Sequence, residues 1–404
     1  MSSLSPAAGR VAVIFSSLGH ATMHVMAALY LTIVIELERV WAMGYDDLIQ
    51  LWTLGALLIG LGAPLAGWLG DRWSERWMMV IFFTVTGAGA IAAGLSDGPA
   101  ALWIGLAVLG IGASIYHPVG MSWVVGNAPN PGRAIGVVGI FGSIGIALAA
   151  AIAGGLIEIA SWRIAFVVPG IASLVFAAVL ALLCLAGKAA DGNKTADSVS
   201  RGVARGDMMR TFFVLTLTMA AGAMVFHALS TAMPRLFEAR LDTLVGGNVA
   251  FVGVMVTAVY LIAATAQLLG GLMADRHPAK RIYLIGLAIQ VPFLFLVSQF
   301  TGLPLLAATC AAVFIGTFYI PAENLLLARY TPARHRGLAY GAKFVLAFGI
   351  GPIAINLIAW TFGATGGFTL LLLILTGFAA FALLSALALP GERRQAAPIA
   401  VPAE

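Results

Sequence analysis

The chain has 404 residues, 61% of them hydrophobic and only 10% charged, with a formal net charge of +5. Its mean hydropathy of +1.00 means more apolar side chain than one soluble core can bury, so lipid is the expected solvent. That argues against a soluble enzyme or a nucleic-acid-binding domain, and the positive charge, gathered on one side of the membrane, calls for no nucleic-acid partner.

Apolar runs long enough to cross a hydrocarbon layer of about 30 Å recur at 11–35, 47–70, 78–96, 101–126, 134–158, 164–187, 209–233, 247–273, 281–300, 304–330, 338–361 and 367–388. They predict an all-α membrane protein of twelve transmembrane helices, in an N-terminal six-helix bundle (1–187) and a C-terminal one (209–390). The N-terminus is rich in Ser and Ala, with Arg10 as its only charge, and has no cleavable signal pattern. The first run carries His20 and His24, which at i and i+4 share one helix face. The second closes on Gly67-Trp68-Leu69-Gly70-Asp71-Arg72-Trp73-Ser74-Glu75-Arg76. The fourth contains Tyr116-His117-Pro118. A polar segment at 188–208 is the expected flexible linker.

The seventh run carries His227, and the eighth closes on Gly271-Leu272-Met273-Ala274-Asp275-Arg276. The tenth holds Tyr319-Ile320-Pro321-Ala322-Glu323-Asn324, the eleventh Lys343, and 391–404 is a polar tail with no expected fold of its own. Cys184 and Cys310 fall inside apolar runs and read as small core residues rather than a disulfide.

Of the 22 Lys and Arg residues, 17 fall on the side shared by the termini, the two motif loops and the linker. Arg39, Arg163, Arg235 and Arg240 fall on the other, and Lys343 lies within a run. By the positive-inside rule both termini face the cytoplasm, and a bacterial inner (plasma) membrane is the expected location.

Gly67–Arg72 and Gly271–Arg276 lie half a chain apart, as expected of a duplicated membrane unit. A shift of 203 or 204 also places Pro118 on Pro321, Arg133 on Arg336 and His24 on His227. Landmarks in the first, second and fourth runs thus fix one register.

The motif loop resembles that of the major facilitator superfamily, in which Gly-x-Leu-x-Asp-Arg-x-x-x-Arg follows the second helix; the weaker copy runs from Gly271 to Lys280. The resemblance implies two six-helix bundles rocking about a central cavity; no cofactor is expected. Leu18-Gly19-His20 and Ser114-Ile115-Tyr116-His117-Pro118-Val119-Gly120 are similar to the fosmidomycin-resistance branch. His24 stands where that branch commonly has an acid, and Val119 where it has Glu. The branch resemblance implies export. The Arg ahead of Gly110-Ile111-Gly112 and the Gly-Pro of the fifth helix that drug antiporters carry are absent, while Gly351-Pro352 sits at the matching place in the eleventh.

Asp71, Arg72 and Arg76, with Gly67 allowing close approach and Gly271, Asp275 and Arg276 as the second copy, are the expected conformational gate; the plainer alternative is a solvated basic turn. The resemblance puts His20, His24, His117 and His227 on cavity helices. A charge at mid-membrane costs on the order of 2.5–3.5 kcal/mol, so ionisable groups there face water or a partner. Either these four line a polar cavity with a protonatable member, or each is a neutral ring bonded to a carbonyl.

Tyr116, Tyr319 and Asn324 complete the expected lining. Glu323 is the leading proton carrier, unless it pairs with Arg329 near the membrane surface. Lys343 either snorkels or offers a fixed positive charge to an anionic substrate. No metal is expected, since His20 and His24 have no carboxylate or Cys at ligand spacing.

The resulting expectation is a monomeric, proton-coupled secondary transporter exporting a small organic or amphipathic anion by alternating access, with proton-coupled uptake of an organic acid as the alternative. No phosphate-binding loop or nucleophile–base pair is present. A membrane-embedded enzyme, or an assembly or receptor protein on a transporter scaffold, is the alternative of a different class.

Overall fold

A computed structural model describes residues 6–128, 131–192, 205–330 and 336–391. The first half comprises α1 (Pro6–Trp41), α2 (Thr53–Arg72), α3 (Glu75–Gly94), α4 (Pro99–Ala113, continuing through Tyr116–Gly120 to Met121–Asn127), α5 (Pro131–Ile159) and α6 (Trp162–Leu185). The second comprises α7 (Arg205–Arg240), α8 (Val249–Arg276), α9 (Ala279–Gln299), α10 (Gly302–Phe318 then Ile320–Tyr330), α11 (Arg336–Thr365) and α12 (Thr369–Leu387). Among the described residues 11 helices are long and apolar enough to cross a membrane; the 30-residue α11 supplies the twelfth passage. Helices satisfy their own backbone hydrogen bonds, which lipid cannot do.

Local chemistry sets the ends. The Ser74 hydroxyl accepts from the Trp77 amide as the cap of α3, and the Asn248 side chain accepts from the Ala250 and Phe251 amides as the cap of α8. α6 stops where Gly187 takes a left-handed φ of 69° and the Lys188 amide returns to the Leu183 carbonyl at 2.9 Å.

Within the first half α1 packs on α5, α3 on α6 and α4 on α2 and α3; within the second α7 packs on α11 and α12, α9 on α12 and α8 on α10. The halves meet along two seams, α5 with α8 and α2 with α11, which are exchanged by the internal repeat. The α5–α8 seam is built on small residues. A Cβ on Gly154 would lie 2.5 Å from the Val249 carbonyl oxygen, one on Gly253 would strike the Ala150 carbonyl, and the Thr257 hydroxyl donates to the Ala147 carbonyl at 2.6 Å.

α1 and α7 run past the predicted apolar spans, to Trp41 and Arg240. Those added turns lie at the face opposite the motif loops and tie the halves together. The Arg235 guanidinium grips the Glu38 carboxylate at 2.6 Å and also pairs with Glu238, while Arg39 pairs with Glu238 at 3.2 Å. Beneath this clamp Tyr45 packs edge-on against Phe362 and Phe368, with ring centroids 5.1 and 6.0 Å away.

Candidate functional site

Between the halves lies a cavity of about 570 Å³, lined mainly by apolar side chains, with two polar clusters on opposing walls. His20, His24 and His117 come from the first half; His227, Gln290, Tyr319 and Glu323 come from the second.

The first cluster depends on an interruption in α4. Pro118 has no amide hydrogen to give, and the helix widens into a π turn over Tyr116–Gly120, a distortion common at functional sites. The turn is anchored to α1 by two reciprocal bonds. Tyr116 donates its hydroxyl to the Ser16 carbonyl at 2.8 Å, and Ser16 donates to the Gly120 carbonyl at 3.1 Å. Tyr116, expected to line the cavity, is fully buried behind it and stacks on the His20 ring with centroids 5.0 Å apart.

His20 is held on three sides. Tyr116 covers one face; a Cβ on Gly142 would strike the ring from α5; and Nδ1 lies 2.9 Å from the Val138 carbonyl. A carbonyl only accepts, so Nδ1 carries a hydrogen, and Nε2 points at His24 Nε2, 3.2 Å away. The His117 ring completes the group, its centroid 5.2 Å from that of His20 and 5.6 Å from that of His24. The exclusion of a metal from the sequence counted two imidazoles. The fold adds a third donor, with ligand atoms of all three within 4.8 Å of one another, which removes the ground for that exclusion.

On the facing wall, α10 breaks at Tyr319 and restarts at Ile320, with Pro321 in the new first turn where a missing amide hydrogen costs nothing. Glu323 follows, 7% exposed, and accepts from the Tyr283 hydroxyl at 3.1 Å, while the exposed Arg329 lies farther along the helix. Tyr319 lines the cavity and donates to the Gln290 side chain at 3.0 Å. Sequence reasoning missed Tyr283 and Gln290. The available signal was two polar residues seven apart, hence on one face of the otherwise apolar α9.

His227 lines the same cavity as His24, beside Gly351, where a Cβ would lie 3.7 Å from the imidazole. Asn324 is half-buried and is not among the cavity-lining residues. The Lys343 side chain lies outside the described residues.

The motif loops fasten each bundle to itself. Arg76 donates to the Ala189 carbonyl at 2.5 Å and pairs with Asp191 at 3.6 Å, and the buried Glu75 accepts from Ser122 and from the Gly192 amide. The first residues after α6, expected to begin a flexible linker, are thus pinned; 193–204 lie outside the described residues. In the second half Lys280 donates to the Leu389 carbonyl, just past α12.

A Cβ on Gly67 would lie 3.1 Å from Pro118, so α2 approaches the π turn closely, whereas among the described residues nothing lies within 4 Å of a Cβ on Gly271. Asp71, Arg72 and Arg276 are exposed, with the Arg72 guanidinium over the Trp68 ring; the Asp275 side chain lies outside the described residues. The charged clamp at the opposite face, which joins Glu38 and Arg39 near the end of α1 to Arg235 and Glu238 near the end of α7, was not anticipated.

A sequence profile of the Major Facilitator Superfamily matches residues 13–251 and 241–402. Among curated proteins, the chain is 26% identical over 346 residues, 84% of each chain, to a Thermoproteus tenax protein described as an uncharacterized 38 kDa protein in the 23S RNA operon. Among solved structures it is similar to a bacterial homologue of the human lysosomal transporter Spinster, over 95% of both chains. The TM-score is 0.70 at 16% identity for the inward-facing occupied form and 0.68 at 15% for the unoccupied one, identities at which the fold alone is shared. Paired six-helix bundles around a central cavity and a profile match over nearly the whole length place the chain in the Major Facilitator Superfamily.

Proposed function

We propose that the chain is a proton-coupled secondary transporter that exports a small organic or amphipathic anion across the bacterial inner membrane, working as a monomer with both termini in the cytoplasm. The observation that carries this reading is Glu323. It is a buried carboxylate on the cavity wall, bonded to Tyr283 and sharing a mainly apolar cavity with a cluster of imidazoles. A carboxyl group can take up and release a proton, and exchange of that proton with the two sides of the membrane couples a gradient to the rocking of the bundles.

The imidazoles form a polar wall for the charged end of an anion, and the apolar lining accepts its hydrocarbon part. The clamp at the face opposite the motif loops supports a state closed on that side, and the bias of Lys and Arg toward the motif side supports its assignment to the cytoplasm. The His20 and His117 segments favour export. A superfamily fold with a central cavity favours transport over membrane-embedded catalysis or a receptor role.

Proteoliposomes under an imposed pH gradient test the proposal. Gradient-driven flux is expected to fall at least tenfold in Glu323→Gln and in His117→Ala; unchanged flux in both would sink the coupling assignment.

A further inference from the structure

We infer that His20, His24 and His117 bind a transition-metal dication, and that the cavity therefore takes its organic anion as a metal complex. The second clause rests on the reading of the cavity as the substrate site; the first does not.

Two of the donors already stand at the spacing of a coordination shell, and the third lies close by. Tetrahedral bonds of about 2.0–2.1 Å to imidazole nitrogen put neighbouring donor atoms roughly 3.3 Å apart, and His20 Nε2 lies 3.2 Å from His24 Nε2. The His20 tautomer also suits a ligand. Its Nδ1–H is spent on the Val138 carbonyl, the outer contact that orients metal-binding imidazoles, so in the neutral ring the Nε2 lone pair faces the cluster. The ring is held in that pose by the stacked Tyr116 and by the bare backbone of Gly142.

A proton completes a contact between two nitrogens, but here the donor atoms of three side chains, two from α1 and one from the π turn of α4, converge within 4.8 Å. A metal ion uses all three.

Charge then specifies what accompanies the ion. The cluster contains no carboxylate or thiolate, so three neutral imidazoles leave the full dication charge in a largely apolar cavity. Three protein ligands also leave a fourth position, on the side where all three rings line the cavity. An organic anion that chelates the ion fills that position and neutralises the charge. Nitrogen-only donors favour zinc, copper, nickel or cobalt over magnesium or calcium, which prefer oxygen.

The test uses the full-length chain without a histidine tag, in detergent, titrated with Co²⁺ while its visible absorption is followed. One equivalent per chain with an intense tetrahedral-type spectrum, displaced by Zn²⁺, is expected. His24→Ala and His117→Ala should weaken binding more than 100-fold, and Gly142→Ala, which displaces the His20 ring, by about 10–100-fold.

Equal Co²⁺ binding by the parent and both histidine variants, or none by the parent, overturns the site. X-ray absorption on the zinc-loaded parent needs no variant, and fewer than three imidazole ligands there overturns it equally. If the site stands, proteoliposome flux of citrate with and without Zn²⁺ reads the second clause. Zn²⁺-dependent flux supports the complex as cargo, and citrate flux indifferent to Zn²⁺ overturns that clause while leaving the transporter reading intact. Absence of any gradient-driven flux from a chain that still binds Co²⁺ counts against the transporter reading instead.

Discussion

Arg76 in the first half and Lys280 in the second occupy matching places after the second helix of their bundles, and each reaches a carbonyl just past the sixth, Ala189 and Leu389. Pro118 and Pro321 likewise mark matching interruptions of α4 and α10. The chemistry beside the two prolines differs. Next to Pro118 the first half builds three imidazoles on a π turn; two residues past Pro321 the second places a carboxylate held by tyrosine. The repeat has kept these fastenings alike and let the cavity walls diverge, so one wall offers imidazole nitrogens and the other a carboxyl group.

The seam between the halves is where the comparison is most easily broken. In Gly253→Val the new side chain meets the Ala150 carbonyl, and overpacking of about 1–3 kcal/mol is expected to cut flux tenfold or more and to lower the melting temperature of the purified protein. A variant that melts and transports as the parent would show that the seam does not depend on close contact there.

Arg235→Ala comes next, because it leaves Glu38 and Glu238 half-buried without their shared cation. A loss of about 1–3 kcal/mol, or 5–150-fold in a two-state balance, should broaden spin-label distances between the ends of α1 and α7; an unchanged distribution would remove the clamp's assigned role. Arg76→Ala and Lys280→Ala should each cost about 1–2 kcal/mol of thermal stability, Arg76 somewhat more because it also pairs with Asp191. If only one of them matters, the two caps are not mates. Tyr283→Phe has the smallest expected effect, about 0.6 kcal/mol for an interhelical bond in a membrane, under threefold on gradient-driven flux.

Much of the architecture was legible in the sequence because the relevant physics is periodic or local. Span ends follow the apolar runs within a few residues over most of the chain, and the interruptions fall at the two prolines. The His-Pro segment pointed to the cavity wall. The features that were not legible depend on contacts distant in sequence.

α1 and α7 gain their last turns because Glu38 and Arg39 meet Arg235 and Glu238, and hydropathy, which scores charge as the end of a span, stops short of them. Tyr116 looked like a lining residue by its neighbours, yet the π turn directs it into the protein to support His20. His117 counted as an isolated imidazole until α1 and α4 were brought together, and Tyr283 and Gln290 gave no local signal stronger than polarity on an apolar helix.

The Arg235–Glu38 and Arg39–Glu238 pairs sit at the end of the molecule, where the bathing medium reaches them, and their side chains are 18–43% exposed. Coulomb attraction at that depth is screened over a Debye length of about 8 Å at physiological ionic strength, and over about 3 Å in molar salt. If the bundles rock as proposed, the balance between their conformations is therefore expected to respond to the salt bathing that end of the molecule. Raising it there is expected to loosen the clamp without altering a contact in the cavity.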